Sequence, residues 1–281
     1  LAQIIPSLTR GKPSTVRDLS LQVANAVLYF GYAYLLLKPN FGSSIGFFFV
    51  LGAAVYLALA YRMSSREEED RYHRYGLATI GLALVTLAIP LELDRNLVTV
   101  AWAVEALALT WVGFRLRSYE LRAFGSTIFL IAGARLLFLD SSLRGAPYQL
   151  ILNDRFIAFS LAIACALLAR YLYRSRTAEL KPEEQRVPQV LGVAANLFAL
   201  LGLSLEVTAY FNSLRAVQVY GYRYSYGAAS DGRNLALSVL WTLYAAGLLA
   251  SGMAWHSRSA RLMGLLLFGV VIVKVFLVDI G

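Results

Sequence analysis

The chain has 281 residues, of which 58% are hydrophobic and 15% charged, with a mean hydropathy of +0.60 and a formal net charge of +9. Soluble proteins of this size carry about 25% charged residues, so an ordinary water-soluble domain is excluded. A single cysteine and two histidines exclude a disulfide framework and a cysteine-based metal site. We expect no metal or other cofactor, and we attribute the excess of Lys and Arg to cytoplasmic loops rather than to nucleic-acid binding.

The apolar residues fall into blocks of about 18 to 22, the length that crosses roughly 30 Å of hydrocarbon as a helix. The blocks are apolar all round, whereas helices of a soluble bundle carry a polar face. The predicted fold is therefore an all-α polytopic transmembrane bundle of about nine helices. The predicted spans are residues 19–37, 43–62, 75–93, 97–114, 121–139, 155–173, 188–211, 234–254 and 261–279.

The basic residues concentrate on one side of these predicted spans. They fall in the N-terminal segment and in the loops at 62–75, 115–122, 170–187 and 255–261. The positive-inside rule makes this side cytoplasmic, which predicts a cytoplasmic N-terminus and, with nine spans, an extracytoplasmic C-terminus. Eight or ten spans would reverse the second prediction. Because the chain starts at Leu1 rather than Met, we expect it to lack an N-terminal portion of a longer polypeptide.

Residues 101–140 resemble residues 240–279 without a gap. The identical or chemically similar pairs are Trp102 and Trp241, Gly113 and Gly252, Ser118 and Ser257, Arg122 and Arg261, Gly125 and Gly264, Arg135 and Lys274, and Asp140 and Asp279. Both copies cross the predicted membrane in the same direction, which makes the repeat parallel. We therefore divide the chain into residues 1–74 (an N-terminal cytoplasmic segment and two spans), repeat 1 at 75–173 and repeat 2 at 188–281.

Three stretches carry a family resemblance. They read W-A-V-E-A-L-A-L-T-W-V-G-F-R-L-R at 102–117, S-V-L-W-T-L-Y at 238–244 and K-V-F-L-V-D at 274–279. Over roughly residues 75–281 the chain resembles the domain-of-unknown-function 2339 family of bacterial multi-spanning membrane proteins. The resemblance implies a location in the bacterial envelope and a missing N-terminal portion. It implies no particular activity. We expect the chain in the bacterial cytoplasmic (inner) membrane.

Ionisable residues inside the spans are the candidates for a binding site, because a charge near the bilayer centre costs about 3 kcal/mol on insertion scales. Glu105 is the deepest, roughly 12 Å into the fourth span at 1.5 Å per residue. The predicted topology adds further charged residues to the same outer half of the membrane. These are Glu92, Arg135, Arg155, Glu206 and Lys274, with Asp140 and Asp279 at the rim. The hypothesis is an outward-facing polar cavity for a charged headgroup, a sugar or an ion.

Structural roles compete with this hypothesis. Arg135 and Lys274 can extend to the membrane surface and pair there with the terminal aspartates, and Glu92 and Glu206 can be interfacial. Trp102 and Trp241 are typical of interface or packing residues. Four tyrosines alternate in the loop before the eighth span, a pattern that favours an extended segment. We interpret them as a membrane-surface anchor, with a sugar or a partner as alternatives: Tyr220, Tyr222, Tyr224 and Tyr226.

No common enzyme signature occurs: the nucleophile elbow, the P-loop, the dinucleotide fingerprint and the H-E-x-x-H motif are all missing from the sequence. We do not expect an enzyme, although one built on carboxylates alone stays open. Two function classes remain, with membrane lipids and other membrane subunits as partners. The first, slightly favoured, is a transporter or a lipid- or glycan-handling protein. The second is a membrane scaffold or assembly subunit of a larger envelope complex.

Overall fold

The structure, a computed structural model, describes residues 16–41, 44–63, 71–93, 95–141, 153–218 and 226–279. These residues are almost entirely helical and contain no strand, so the predicted all-α bundle is confirmed. The helices are α1 (Val16–Phe41), α2 (Ile45–Met63), α3 (Arg71–Glu92), α4 (Arg95–Arg115), α5 (Tyr119–Phe138), α6 (Asp154–Ser175), α7 (Val187–Gln218), α8 (Tyr226–Ala254) and α9 (Arg258–Lys274), and a π-helical end at Val275–Asp279 follows α9.

Eight helices of the described part are long and apolar enough to cross a membrane. The apolar part of α3, Gly76–Glu92, is shorter, but α3 packs along the whole of α2. At one end a Cβ built on Gly46 would lie 2.7 Å from the Cβ of Glu92. At the other end Ala60 and Leu77 are buried in one cluster. The two helices are therefore antiparallel and cover the same length.

The chain divides into two compact units, Leu1–Val98 and Thr99–Gly281. In the first, α1, α2 and α3 pack around Phe30, whose ring lies 5.4 Å from that of Phe49. A Cβ on Gly52 would lie 2.5 Å from Phe30 Cζ, so only glycine lets the ring approach α2 this closely. In the second unit, α4, α5, α6 and α7 share cores rich in alanine. The predicted limits of the two repeats stay a prediction.

Some residues that fall between the predicted spans are helical. Pro39 lies in the last turn of α1, because the preceding apolar residues favour the helix and the proline removes only one donated hydrogen bond there. Arg95 is the first residue of α4. Tyr226, expected in an extended segment, is the first residue of α8. Tyr220, Tyr222 and Tyr224 lie outside the described residues.

The turns that join α4 to α5 and α8 to α9 have the same geometry. In the first, Ser118 N donates to Gly113 O at 2.9 Å, and Ser118 Oγ accepts from Leu121 N at 3.3 Å. In the second, Ser257 N donates to Gly252 O at 2.9 Å, and Ser257 Oγ accepts from Ala260 N at 3.4 Å. Each serine thereby caps the N-terminus of the following helix.

The residue before each capping serine has a left-handed backbone conformation. The φ angle is 51° at Arg117 and 50° at His256. This conformation is uncommon for residues with a side chain, and its occurrence at equivalent positions shows that the two turns are the same structure. The helices then meet closely: a Cβ would lie 2.9 Å from Ala106 O at Gly125 and 3.1 Å from Ala245 O at Gly264.

Candidate polar sites in the second unit

Glu206, one of the predicted intramembrane acids, is buried on α7 and held by two residues at the start of α6. Arg155 Nη2 lies 2.8 Å from Glu206 Oε1, and Asn153 Nδ2 donates to both carboxylate oxygens at 2.9 and 3.0 Å. Asn153 Oδ1 also accepts from Phe156 N at 2.8 Å and caps α6. A charged carboxylate is tolerated between helices because an arginine and an amide satisfy it.

Arg135 and Asp140 form a second cluster at the end of α5. Arg135 Nε lies 3.7 Å from Asp140 Oδ2, and the hydroxyl of Thr99 on α4 donates to the same oxygen. The Arg135 guanidinium also stands 5.8 Å from the ring centroid of Trp102. The pairing expected between the basic residue and the terminal aspartate is thus present in the first copy.

Lys274 occupies the equivalent position in the second copy. Its Nζ donates to Ser238 Oγ at 2.7 Å and to Asn234 O at 3.0 Å, both on α8. Ser238 is the counterpart of Thr99. The Ser238 hydroxyl accepts from the basic residue of its hairpin, whereas the Thr99 hydroxyl donates to Asp140. Asp279 ends the π-helical segment, and its side chain lies outside the described part.

Trp241 Nε1 donates to Ser204 Oγ on α7 at 2.9 Å, which makes Trp241 a packing residue.

Two further predicted acids, Glu105 and Glu92, lie on α4 and α3. Glu105 is half-buried in α4, with its Oε2 buried. Glu92 belongs to the first unit, where it is largely exposed beside Gly46. The structure therefore pairs Arg155 with Glu206 and Arg135 with Asp140 locally, and the common outward-facing cavity stays a prediction.

A fourth cluster, at the other end of the same helices, was missed by the sequence analysis. Arg122 Nε and Nη2 each lie 2.6 Å from one oxygen of Glu184, and both side chains are at least 96% buried, with exposures of 3% and 4%. Arg122 also stacks over Phe114 at 4.8 Å, and Tyr173 OH donates to Arg122 O at 3.4 Å. Paired geometry of this kind is the strongest form of arginine–carboxylate contact.

Glu184 reaches this position because the chain between α6 and α7 folds into two short 3-10 turns, Thr177–Glu179 and Pro182–Glu184. Pro182 begins the second turn, and Glu184 Oε2 accepts from Lys181 N at 3.1 Å. Lys181 Nζ in turn lies 4.2 Å from the ring centroid of Tyr119. A sequence signal existed only for Arg122, through its match with Arg261.

The first unit contains an apolar cavity of about 440 Å³ between α1 and α3. Val27, Gly31, Ala83 and Leu87 are among the residues that line it. A second cavity, of about 290 Å³, lies on another side of α1, and its lining includes Asn25 and Tyr56. Among the described residues no group of His, Cys, Asp and Glu side chains could hold a metal ion.

Long apolar helices with ion pairs buried between them define an α-helical multi-pass membrane protein. The model of the family named domain of unknown function 2339 (DUF2339), described as a predicted membrane protein, matches the chain over residues 2–218 and 126–281. The chain belongs to this family. No curated protein and no solved structure shows significant similarity to it.

Proposed function

We propose that this protein is a membrane scaffold or assembly subunit of a larger envelope complex. The observation that carries the proposal is the cluster of Arg155, Asn153 and Glu206. Arg155 and Asn153, at the start of α6, hold the Glu206 carboxylate of α7, so these polar groups join the two helices. The hydrogen bond from Thr99 to Asp140 likewise joins α4 to the end of α5, and the one from Lys274 to Ser238 joins α9 to α8.

The size of the native assembly tests the scaffold function. The full chain is purified from its own membranes in a lipid-preserving polymer, and the mass of the particle is measured. We expect a particle heavier than the 31.0 kDa chain that contains another membrane protein in a fixed ratio. A particle that contains only this chain and lipid would contradict the proposal.

A charge exchange tests whether the buried charges serve packing. Arg155→Glu and Glu206→Arg each leave like charges in contact, so each single variant should lose folded protein and assembly. The double variant restores an opposite pair and should recover most of both. A double variant that recovers no more folded protein than the single variants would contradict the packing role.

A transporter or a lipid- or glycan-handling protein is the second candidate. It is supported by the 440 Å³ apolar cavity, which has the character of an acyl-chain site, and by the half-buried Glu105 in a span. Under this function Glu105→Gln abolishes transport while expression and assembly stay normal. Under the scaffold function the same variant either impairs assembly or has no effect.

For the location we propose the bacterial cytoplasmic membrane, with the N-terminus in the cytoplasm and the C-terminus outside. The support is the bias of basic residues and the antiparallel pairing of α3 with α2, which favours nine crossings. Labelling of a Gly281→Cys variant with an impermeant maleimide tests this orientation. Labelling of intact cells is expected, and labelling only after lysis would contradict it.

A further inference from the structure

The α4–α5 and α8–α9 hairpins bury the same inner surface. Five residues that are buried in the first hairpin have buried counterparts in the second. The pairs are Thr99 and Ser238, Ala106 and Ala245, Gly113 and Gly252, Gly125 and Gly264, and Ala132 and Val271. The inner packing of the two hairpins is therefore equivalent.

The outer faces of the two hairpins differ. In the first hairpin Phe114 and Arg122 are 2% and 3% exposed, because α6 and the segment after it cover them. Their counterparts in the second hairpin are Met253, which is 62% exposed, and Arg261, which is also exposed. The face that is covered in one copy is thus open in the described part of the other.

The cover of the first hairpin has a defined chemistry. Ala166 and Ala169 of α6 share a core with Phe114, and the ring of Tyr173 meets the Phe114 ring at 5.1 Å between centroids. Small residues allow the helices to approach closely in a membrane. Glu184, beyond the end of α6, then neutralises Arg122.

Arg261 starts from the same position as Arg122. A Cβ on Gly252 would lie 2.8 Å from both Cγ and N of Arg261, and a Cβ on Gly113 would lie 2.5 and 3.0 Å from the same atoms of Arg122. The identical turns therefore aim the first part of both arginine side chains in the same way. In the second hairpin the guanidinium of Arg261 can therefore reach the position that corresponds to the Arg122 guanidinium. In the first hairpin Glu184 neutralises that guanidinium.

We propose that the open face of the α8–α9 hairpin, centred on Met253 and Arg261, binds a transmembrane helix of a partner protein. The partner helix carries small residues along the contact and a carboxylate at the end that lies level with Arg261. We infer these properties of the partner helix from α6 and Glu184, which cover the equivalent face of the first hairpin. The inference rests on the scaffold function and names the kind of partner that the scaffold holds.

A synthetic peptide of residues 153–187 serves as the probe, because it contains the helix and the carboxylate in their native spacing. It carries Tyr173→Cys for disulfide trapping and Cys165→Ala. The full chain, in lipid nanodiscs, carries Met253→Cys; its own Cys165 is buried and stays in place. The matched control is Leu243→Cys, which is 67% exposed on the same helix, and whose counterpart Val104 is 51% exposed in the first hairpin.

We expect disulfide formation at position 253 to exceed that at 243 at least tenfold. A Glu184→Gln peptide, or Arg261→Gln in the chain, should reduce trapping about tenfold or more, since each leaves one charge of a contact pair unneutralised. In the Arg261→Glu chain, disulfide trapping of the native peptide should be lost, and trapping of a Glu184→Arg peptide should be restored. Because Arg122 is unchanged in these variants, the response to position 261 excludes exchange with the native α6.

Three outcomes would overturn the proposal. Equal trapping at positions 253 and 243 would make the face an ordinary lipid-facing surface. Trapping that does not depend on the charge at position 261 would show that the partner helix needs no carboxylate. Loss of trapping in nanodiscs of anionic lipid, with trapping kept in zwitterionic lipid, would assign Arg261 to lipid phosphates. A native particle of this chain and lipid alone would contradict the scaffold function without affecting the trapping result, so the two failures are distinguishable.

Discussion

Arg122 and Glu184 are 62 positions apart in the sequence, yet two nitrogens of the guanidinium each lie 2.6 Å from a carboxylate oxygen. The pair ties the start of α5 to the segment that leads into α7. Desolvation cancels much of the energy of such a pair, so its presence adds little net stability. Its two members nevertheless depend strongly on each other, because either one alone would be a buried charge.

The first prediction follows from this dependence. Glu184→Gln or Arg122→Gln should lower the free energy of unfolding by about 3–5 kcal/mol, whereas replacing both residues with Met and Leu should be close to neutral. Unfolding of the full chain in mixed micelles, titrated with a denaturing detergent, measures the difference. Arg261→Gln is the matched control and should change stability by less than about 0.5 kcal/mol, because that side chain is exposed. Equal losses in all three single variants would contradict the prediction.

Asn153 has two separable roles. Asn153→Asp keeps an oxygen that can cap α6 but removes the donor to Glu206 and places a second carboxylate beside it. The variant should therefore lose more stability than Asn153→Ala in the same detergent titration. Adding Glu206→Gln to Asn153→Asp supplies a new donor and removes the repulsion, and should recover most of the loss. A milder effect of the aspartate than of the alanine would show that capping is the main role.

The close approach of α4 and α5 depends on Gly125. A Cβ there would lie 2.9 Å from the backbone oxygen of Ala106 and 3.1 Å from Thr110 Oγ1. Gly125→Ala should destabilise the protein by about 1–3 kcal/mol through overpacking. Gly269 in α9 has no atom within 4 Å of a built Cβ, so Gly269→Ala should be neutral or slightly stabilising through helix propensity. Thermal unfolding in one detergent compares the two, and a loss at Gly269 as large as at Gly125 would refute the argument.

The equivalent turns predict equivalent capping energies. Ser118→Ala and Ser257→Ala should each cost about 1 kcal/mol, because each leaves the N-terminal amides of a helix without their side-chain acceptor. Asparagine at either position should restore most of the stability. Thermal unfolding of the four variants measures both effects. A loss confined to one of the two serines would show that the turns differ in energy despite their shared geometry.

The sequence was sufficient for the helices. Blocks such as 155–173 and 234–254 lie inside α6 and α8, because a span must be apolar all round and therefore stands out in composition. The turn residues Gly113 and Ser118 were recognised through the repeat, although the sequence did not reveal their hydrogen bonds. Arg155 and Glu206 were both named as members of one layer, but the contact between them depends on how α6 packs against α7.

The Arg122–Glu184 pair could not be predicted in this way. Arg122 falls in the predicted cytoplasmic loop at 115–122, and Glu184 lies in a segment whose apolar residues show no periodicity. Their contact is created by the two short 3-10 turns that bring the segment back against α5. Such folding of a connection depends on long-range packing, for which a single sequence contains no pattern.

The left-handed residues Arg117 and His256 have a consequence for how the two hairpins diverge. A reversal fixed by backbone angles sets the register of the helices on either side of it, whatever side chains follow. Substitutions on the outer face of one hairpin can then occur without changing how the inner faces of its two helices pack against each other. This separation allows one hairpin geometry to serve both as an enclosed element and as an open one within the same protein.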